Sequence, residues 1–267
     1  MSGENDLDRT SGVGPANLEE LLASGIIRKA EGAKFRDTSI IILRHADELE
    51  DRDARTLGIS DVGKNQIKSS VEEIAVALGK VEGGVIIKFY SSPQEQAKDT
   101  ARGMIEEIEN RMKSNSWPQN THLLSIPGIK QEPKERERLT REVQIDRSDV
   151  ASILAERESR RSAGDNVEFS TILIERDRRG ELRPGTEGRE SVVRRLAEAV
   201  RNLQRINERI PAKGEKLLLI LITHNIYFEA LLGRGAEGCR GVRIDLPLKD
   251  GDKPILVGAD SSKKLDW

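Results

Sequence analysis

The sequence is short of the residues that would tie it to several familiar classes of protein. One cysteine, Cys239, stands in 267 residues. A single thiol excludes an intramolecular disulfide and any closely spaced pair of zinc-binding cysteines. Aromatic residues make up 3 % of the chain, too few for stacking platforms that hold single-stranded nucleic acid. Neither sign of charge prevails, since 44 Lys and Arg face 46 Asp and Glu for a net charge of −2. A chain drawn to nucleic acid by its overall field would be basic. Long apolar runs are missing too. The longest, Leu217–Ile222, falls far short of the ~20 residues that a bilayer span needs. Met1–Gly14 is polar and lacks the apolar centre of a secretory signal. The expectation is a cytoplasmic protein with neither a membrane nor a nucleic-acid partner. Histidine is scarce as well, with His45, His122 and His224 the full set of 3.

What is present points to a packed α/β domain. Hydrophobic residues are 36 % and charged residues 34 % of the chain, enough for a core under a surface dense in charge. Apolar runs of strand length fall at 39–43, 85–90, 171–174 and 217–222. In the first, second and fourth, apolar residues stand at consecutive positions, the pattern of strands covered on both faces. Ile67, Val71, Ile74, Ala75 and Leu78 repeat at helical spacing, with a stop at Gly79 or at Gly83–Gly84. Residues 94–112 read as a second helix, with Pro93 in its first turn. Val192, Leu196, Val200 and Leu203 form a third stripe that ends before Pro211. Alternating strands and helices predict an α/β fold with a mostly parallel central sheet and helices on both faces. Residues 1–34 read as an N-terminal extension, with a short amphipathic helix over 18–27. Residues 35–267 read as one domain. Within it, about 113–190 is dense in charge and reads as an insertion or lid, not a second core.

Two of the histidines share a setting. His45 follows the run Ile40–Leu43 and Arg44, and His224 follows Leu217–Ile222 and Thr223. Each stands just beyond the carboxyl end of a buried strand, the edge at which open α/β sheets bind ligands. His122 falls at the start of a strand, at a surface or edge position. Cys239 lies in a glycine-rich loop with no histidine close by in sequence, so no catalytic role is assigned to it.

Leu43-Arg44-His45-Ala46 resembles the Arg-His signature of the histidine phosphatase superfamily, the phosphoglycerate-mutase-like proteins. Ile59–Gln66 resembles the helix start that follows it, Phe89–Pro93 with Ala97–Ala101 the next strand and helix, and Leu219–Asn225 the late strand and second histidine. These four stretches lie in the family's order and span most of the chain. The resemblance implies a phosphomonoester hydrolase that works through a phosphohistidine on His45. Arg44 and His224 would bind the phosphoryl oxygens, with no metal and no cofactor. The implied substrate is a phosphorylated small molecule or a phosphoprotein. The residue types suit that chemistry. A guanidinium fork matches phosphate oxygens. An imidazole with an ordinary pKa near 6.5 keeps a neutral, nucleophilic fraction at pH 7. A protonated second histidine could spread the charge of the transferring group.

The chain departs from the pattern at three places. Gln96 stands where the family has a second phosphate-binding arginine, and Arg157, Arg160 or Arg161 could replace its charge. Gln131 stands at the place of the acid, which shifts the expectation to Glu132, with Glu142 as a fallback. Asn225 follows the second histidine where the acid-phosphatase branch has Asp, which argues against that branch. Arg44, Gln96 and Asn225 are the expected substrate-binding set. Thirteen residues separate His45 from Ile59, a loop short for a mutase, so hydrolysis is favoured over phosphoryl return. The rival reading is a non-catalytic relative that binds phosphorylated ligands or partners. Nothing in the sequence sets the oligomeric state.

Overall fold

Each run of consecutive apolar residues outside the charged middle becomes a central strand of one sheet. The computed structural model describes residues 38–49, 58–123, 134–135, 143–196, 198, 215–233, 235–245 and 255–257. In chain order the elements are β1 (Thr38–Arg44), α1 (Asp61–Leu78), β2 (Val85–Ser91), α2 (Glu95–Lys113), β3 (Thr121–Leu123), β4 (Lys134–Glu135), α3 (Arg147–Ser162), α4 (Phe169–Arg178), β5 (Lys216–Thr223), α5 (Asn225–Leu232), β6 (Gly241–Asp245) and β7 (Ile255–Val257). Residues 189–196 are helical as well. The strand order is β3-β2-β5-β1-β6-β7, with β4 also paired to β2. Strands β3, β4, β2, β5 and β1 run parallel, and β6 and β7 close one edge antiparallel.

Helices cover both faces. Ile41, Leu43, Ile87, Phe89, Ile220 and Ile222 pack against Ile67, Val71 and Ile74 of α1 and Ala101 and Met104 of α2. The alternate residues Ile40, Ile42, Tyr90, Leu219 and Leu221 meet Tyr227 and Phe228 of α5 and Val192 and Leu196 on the other face. Successive strand side chains point to opposite faces, so a strand sandwiched between helices must be apolar at every step. That accounts for the unbroken burial of Leu217–Thr223.

Local chemistry sets the helix ends. The Ser60 side chain accepts the Gly63 amide N–H and caps α1, and Gly79 closes the same helix. Pro93 lies outside α2 rather than in its first turn, because Gln94 is the N-cap. One expectation fails. Residues 171–174 are not a strand but part of α4. Ile153, Ile172 and Leu173 make a small apolar cluster between α3 and α4, while Ile174 joins the main core. A helix buried on neighbouring sides shows consecutive apolar residues, which a short window cannot tell from a strand. The region around this cluster is as charged as its composition suggests. Arg160 lies 2.6 Å from Glu156 and 2.7 Å from Glu175, and Arg176 lies 2.8 Å from Glu156. The helix expected over 18–27 lies outside the described residues, as do Val200 and Leu203.

Candidate active site

Strands β1 and β5 are neighbours, and their register sets Arg44 against Thr223. The residue after each strand is therefore at the same edge. The His45 backbone N–H donates to the Thr223 carbonyl at 2.9 Å, so the ladder runs one step beyond β1 and holds the histidine in place. The two imidazole rings stand 5.3 Å apart between centroids, tilted by 58°. His45 Nδ1 is 2.8 Å from the Ala46 carbonyl and 3.6 Å from Glu48 Oε1. A carbonyl only accepts, so this contact assigns the proton of the neutral ring to Nδ1 and the lone pair to Nε2.

Arg44 is anchored on two sides. Its Nη1 donates to the Ala236 carbonyl at 2.9 Å, and its Nη2 lies 3.1 Å from Glu168 Oε1 and 3.8 Å from Asp47. Its Nε is buried with no acceptor among the described residues. Asn225 ties the same corner together. Its Nδ2 donates to Glu168 Oε2 at 2.7 Å and to Ser170 at 3.2 Å, and its Oδ1 accepts the Ala236 amide N–H at 2.8 Å. Both Glu168 oxygens thus face donors, one from Arg44 and one from Asn225.

His224 differs sharply from His45 in its surroundings. Burial, and then the charges of His45 and Arg44, push its pKa down to about 3, so the ring is neutral at pH 7 in this state. Its Nε2 is 2.6 Å from the hydroxyl of buried Ser92, which also accepts the Gln94 amide N–H at 3.2 Å.

Arg44, His45 and His224 line an open cleft of about 700 Å³. Its walls come from Gln94 at the start of α2, Arg157 and Arg161 on α3, Glu168 before α4, and apolar side chains that include Phe169 and Ile226. Asn225 lines the cleft, but its polar atoms are engaged with Glu168, Ser170 and Ala236. Gln96 is not among the lining residues, whereas Gln94 is. Of the three arginines considered for the missing charge, Arg157 and Arg161 line the cleft and Arg160 is engaged with Glu156 and Glu175. Glu132 and Glu142 lie outside the described residues. Sequence reasoning missed two contributors. Ser92 stood in a recognised stretch without an assigned role, and Glu168 left no local signal at all.

His122 sits on edge strand β3, about half exposed, with Nε2 3.6 Å from Glu215. Cys239 is buried, and burial pushes its thiol up to about 12, which leaves it an inert thiol at neutral pH. Among the described residues no three His, Cys, Asp or Glu side chains gather as metal ligands would. No described helix is long and apolar enough to cross a membrane.

No protein-family model matches the sequence, and no curated protein matches it. Solved structures do. Mycobacterial glucosyl-3-phosphoglycerate phosphatase is 18 % identical, with 78 % of this chain and 90 % of that chain covered at a TM-score of 0.43. YhfR of Bacillus stearothermophilus is 15 % identical over 81 % and 94 %, at a TM-score of 0.43. Phosphoserine phosphatase of Entamoeba histolytica is 14 % identical over 85 % and 99 %, at a TM-score of 0.40.

Proposed function

We propose that this chain is a phosphomonoester hydrolase whose nucleophile is Nε2 of His45. One observation carries the reading. An arginine and two histidines, from strands far apart in sequence, meet at the carboxyl edge of the sheet with their rings 5.3 Å apart. The His45 contact to Ala46 leaves Nε2 with a lone pair, as in-line attack on phosphorus requires. As the N–P bond forms, the bond from phosphorus to the leaving oxygen breaks and its electron pair stays on that oxygen. A carboxylic acid then protonates the oxygen. Glu132 holds that role in this reading, with Glu142 as the second choice. Water then attacks phosphorus while that carboxylate takes its proton, the N–P bond breaks with its electron pair returning to Nε2, and phosphate leaves with His45 restored.

Arg44 and His224 receive the phosphoryl oxygens, with Gln96 and Asn225 at the margin of the substrate-binding set. His224 is neutral when the cleft holds no anion and gains its proton with one, because a dianion nearby favours the charged ring. The substrate is a phosphorylated small molecule or a phosphoprotein, met in the cytoplasm. Residues 1–34 serve as an extension and 35–267 as the working domain, with the charge-dense stretch of about 113–190 as its lid.

The test is direct. A reactive phosphodonor should label the wild type with an acid-labile phosphoryl group. The His45→Ala variant should take up none and should fail to hydrolyse an aryl phosphate. Turnover that survives in the variant would place the chemistry elsewhere. A second reading, a binding module without turnover, has one observation in its favour. Glu168 already occupies Nη2 of Arg44, a donor that a phosphoryl oxygen would compete for. Phosphate binding with no labelling and no turnover would select that reading.

A further inference from the structure

Ser92 stands at the same edge of the sheet as the two histidines, and strand pairing puts it there. β2 pairs with β5 as far as Ser91 opposite Ile222. The Ser92 backbone N–H donates to the Ile222 carbonyl at 3.0 Å, one step beyond the end of β2. Its side chain is fully buried. The Oγ accepts the Gln94 amide N–H at 3.2 Å and lies 2.6 Å from Nε2 of His224. Among the described residues no other acceptor meets its hydrogen, so the hydroxyl donates to Nε2. The ring is neutral, because burial disfavours its charge. A neutral imidazole accepts at one nitrogen and donates at the other, which places its proton on Nδ1. Nδ1 has no hydrogen-bond partner among the described residues, yet it is not one of the buried polar atoms sealed off without one. It is the nitrogen that His224 has left for the cleft, which the ring lines beside Arg44 and His45.

We infer that Ser92 is the positioning residue of His224: its hydroxyl fixes the neutral ring as the Nδ1–H tautomer, so that an N–H faces the phosphoryl site before any anion arrives. The inference rests on the hydrolase reading for the use of that N–H in turnover. The other tautomer would set a lone pair against phosphoryl oxygens that carry only lone pairs, and the two would repel. A hydroxyl both donates and accepts. The same contact therefore serves when the ring gains its second proton at Nε2, with the Ser92 Oγ then accepting. Ser92 does not line the cleft and acts only through His224.

Nuclear magnetic resonance of the full chain, labelled with the heavy nitrogen isotope, reads the tautomer directly. The chain has only 3 histidines, and the His224→Asn variant assigns the His224 ring by difference. In two-bond proton–nitrogen spectra a protonated ring nitrogen and a lone-pair nitrogen resonate far apart. At neutral pH, without added anion, wild-type His224 should show a protonated Nδ1 and a bare Nε2. In Ser92→Ala the two nitrogen signals should move towards each other as the tautomers mix. Calorimetry should then show orthophosphate bound about two- to tenfold more weakly, the effect of one ordinary hydrogen bond. A bare Nδ1 in the wild type overturns the inference, whatever the stability of the variant. So does a Ser92→Ala protein that keeps the Nδ1–H tautomer, even one that unfolds at a lower temperature, since the contact would then be packing alone. Turnover separates the two readings. The Nδ1–H tautomer and Ser92-dependent phosphate binding, in a protein that neither hydrolyses aryl phosphates nor forms phosphohistidine, remove the hydrolase and keep the role of Ser92. Labelling and turnover with the proton on Nε2 remove that role and keep the hydrolase.

Discussion

In the proposed hydrolase, Glu168 and His224 are the residues that set the response to an anion. Glu168 sets a negative charge against Nη2 of Arg44, which a bound anion would have to displace or share. The Glu168→Gln variant should therefore bind orthophosphate more tightly. The carboxylate is nearly half exposed, so the gain should be modest, about two- to fivefold for an ion pair worth up to ~1 kcal/mol. Weaker binding on calorimetry would mean that Glu168 serves instead to hold Arg44 in place. His224 makes a prediction in acid. A histidine in the unfolded chain titrates near 6.5, and here it titrates at about 3. Between those values the unfolded chain holds a proton that the folded one lacks, so stability is complete above about pH 6.5 and declines as pH falls towards 3. Urea unfolding at successive pH values should show this slope in the wild type, and the His224→Asn variant should lose part of it. An unchanged slope would assign the acid sensitivity to other groups. Arg44, His45 and His224 were legible in the sequence because each stands at the end of an apolar run. Glu168 was not, since a lone glutamate in a charged stretch carries no mark of the distant arginine it meets. Ser92 is 132 residues from His224, and only the packing of β2 against β5 joins them.

At the scale of elements, the sheet was readable wherever a strand is covered on both faces. The short strand β6, between β1 and β7, was not. Its apolar Val242 and Ile244 are interrupted by Gly241 and by Arg243, which is buried as well, in too brief a stretch to stand out. Residues 171–174 misled for the opposite reason, because α4 is buried against both α3 and the main core. Glycines mark where elements meet most closely. A Cβ at Gly241 would overlap the Ile42 carbonyl across the β1–β6 pairing. Gly241→Ala should cost about 1–3 kcal/mol, the usual range for overpacking. Gly79 offers the contrast. Its φ of −62° suits any residue, and a Cβ there would meet nothing closer than 3.5 Å. Gly79→Ala should be neutral or stabilise by up to ~1 kcal/mol, through the lost freedom of the unfolded chain. Denaturant midpoints of the two variants check both signs. A Gly241→Ala protein as stable as the wild type would contradict the register at that edge.

At the scale of the molecule, the chain has a large core and a small one. The sheet and its covering helices bury apolar residues on two faces, while among the described residues the fully buried apolar contact between α3 and α4 is Ile153, Ile172 and Leu173, flanked by the ion pairs of Arg160 and Arg176. Few buried contacts mean a lower free energy of local opening. Backbone amides of α3 should therefore exchange with deuterium well before those of β1 and β5. Equal protection would show that the two parts unfold together. The charge-dense middle was legible from composition alone, but its small core was hidden among the charges around it.

The backbone bond from His45 to the Thr223 carbonyl has a consequence for how such a protein can change its task. The spacing of the two rings follows from strand register, which a substitution on α3 does not reach. Arg157 and Arg161 line the same cleft from α3, whose fully buried residues are Asp149 and Ile153. The edge that sets the ring spacing and the wall formed by α3 are thus separable parts of the chain. Substitutions on that wall reshape the cleft and leave the spacing of His45 and His224 unchanged.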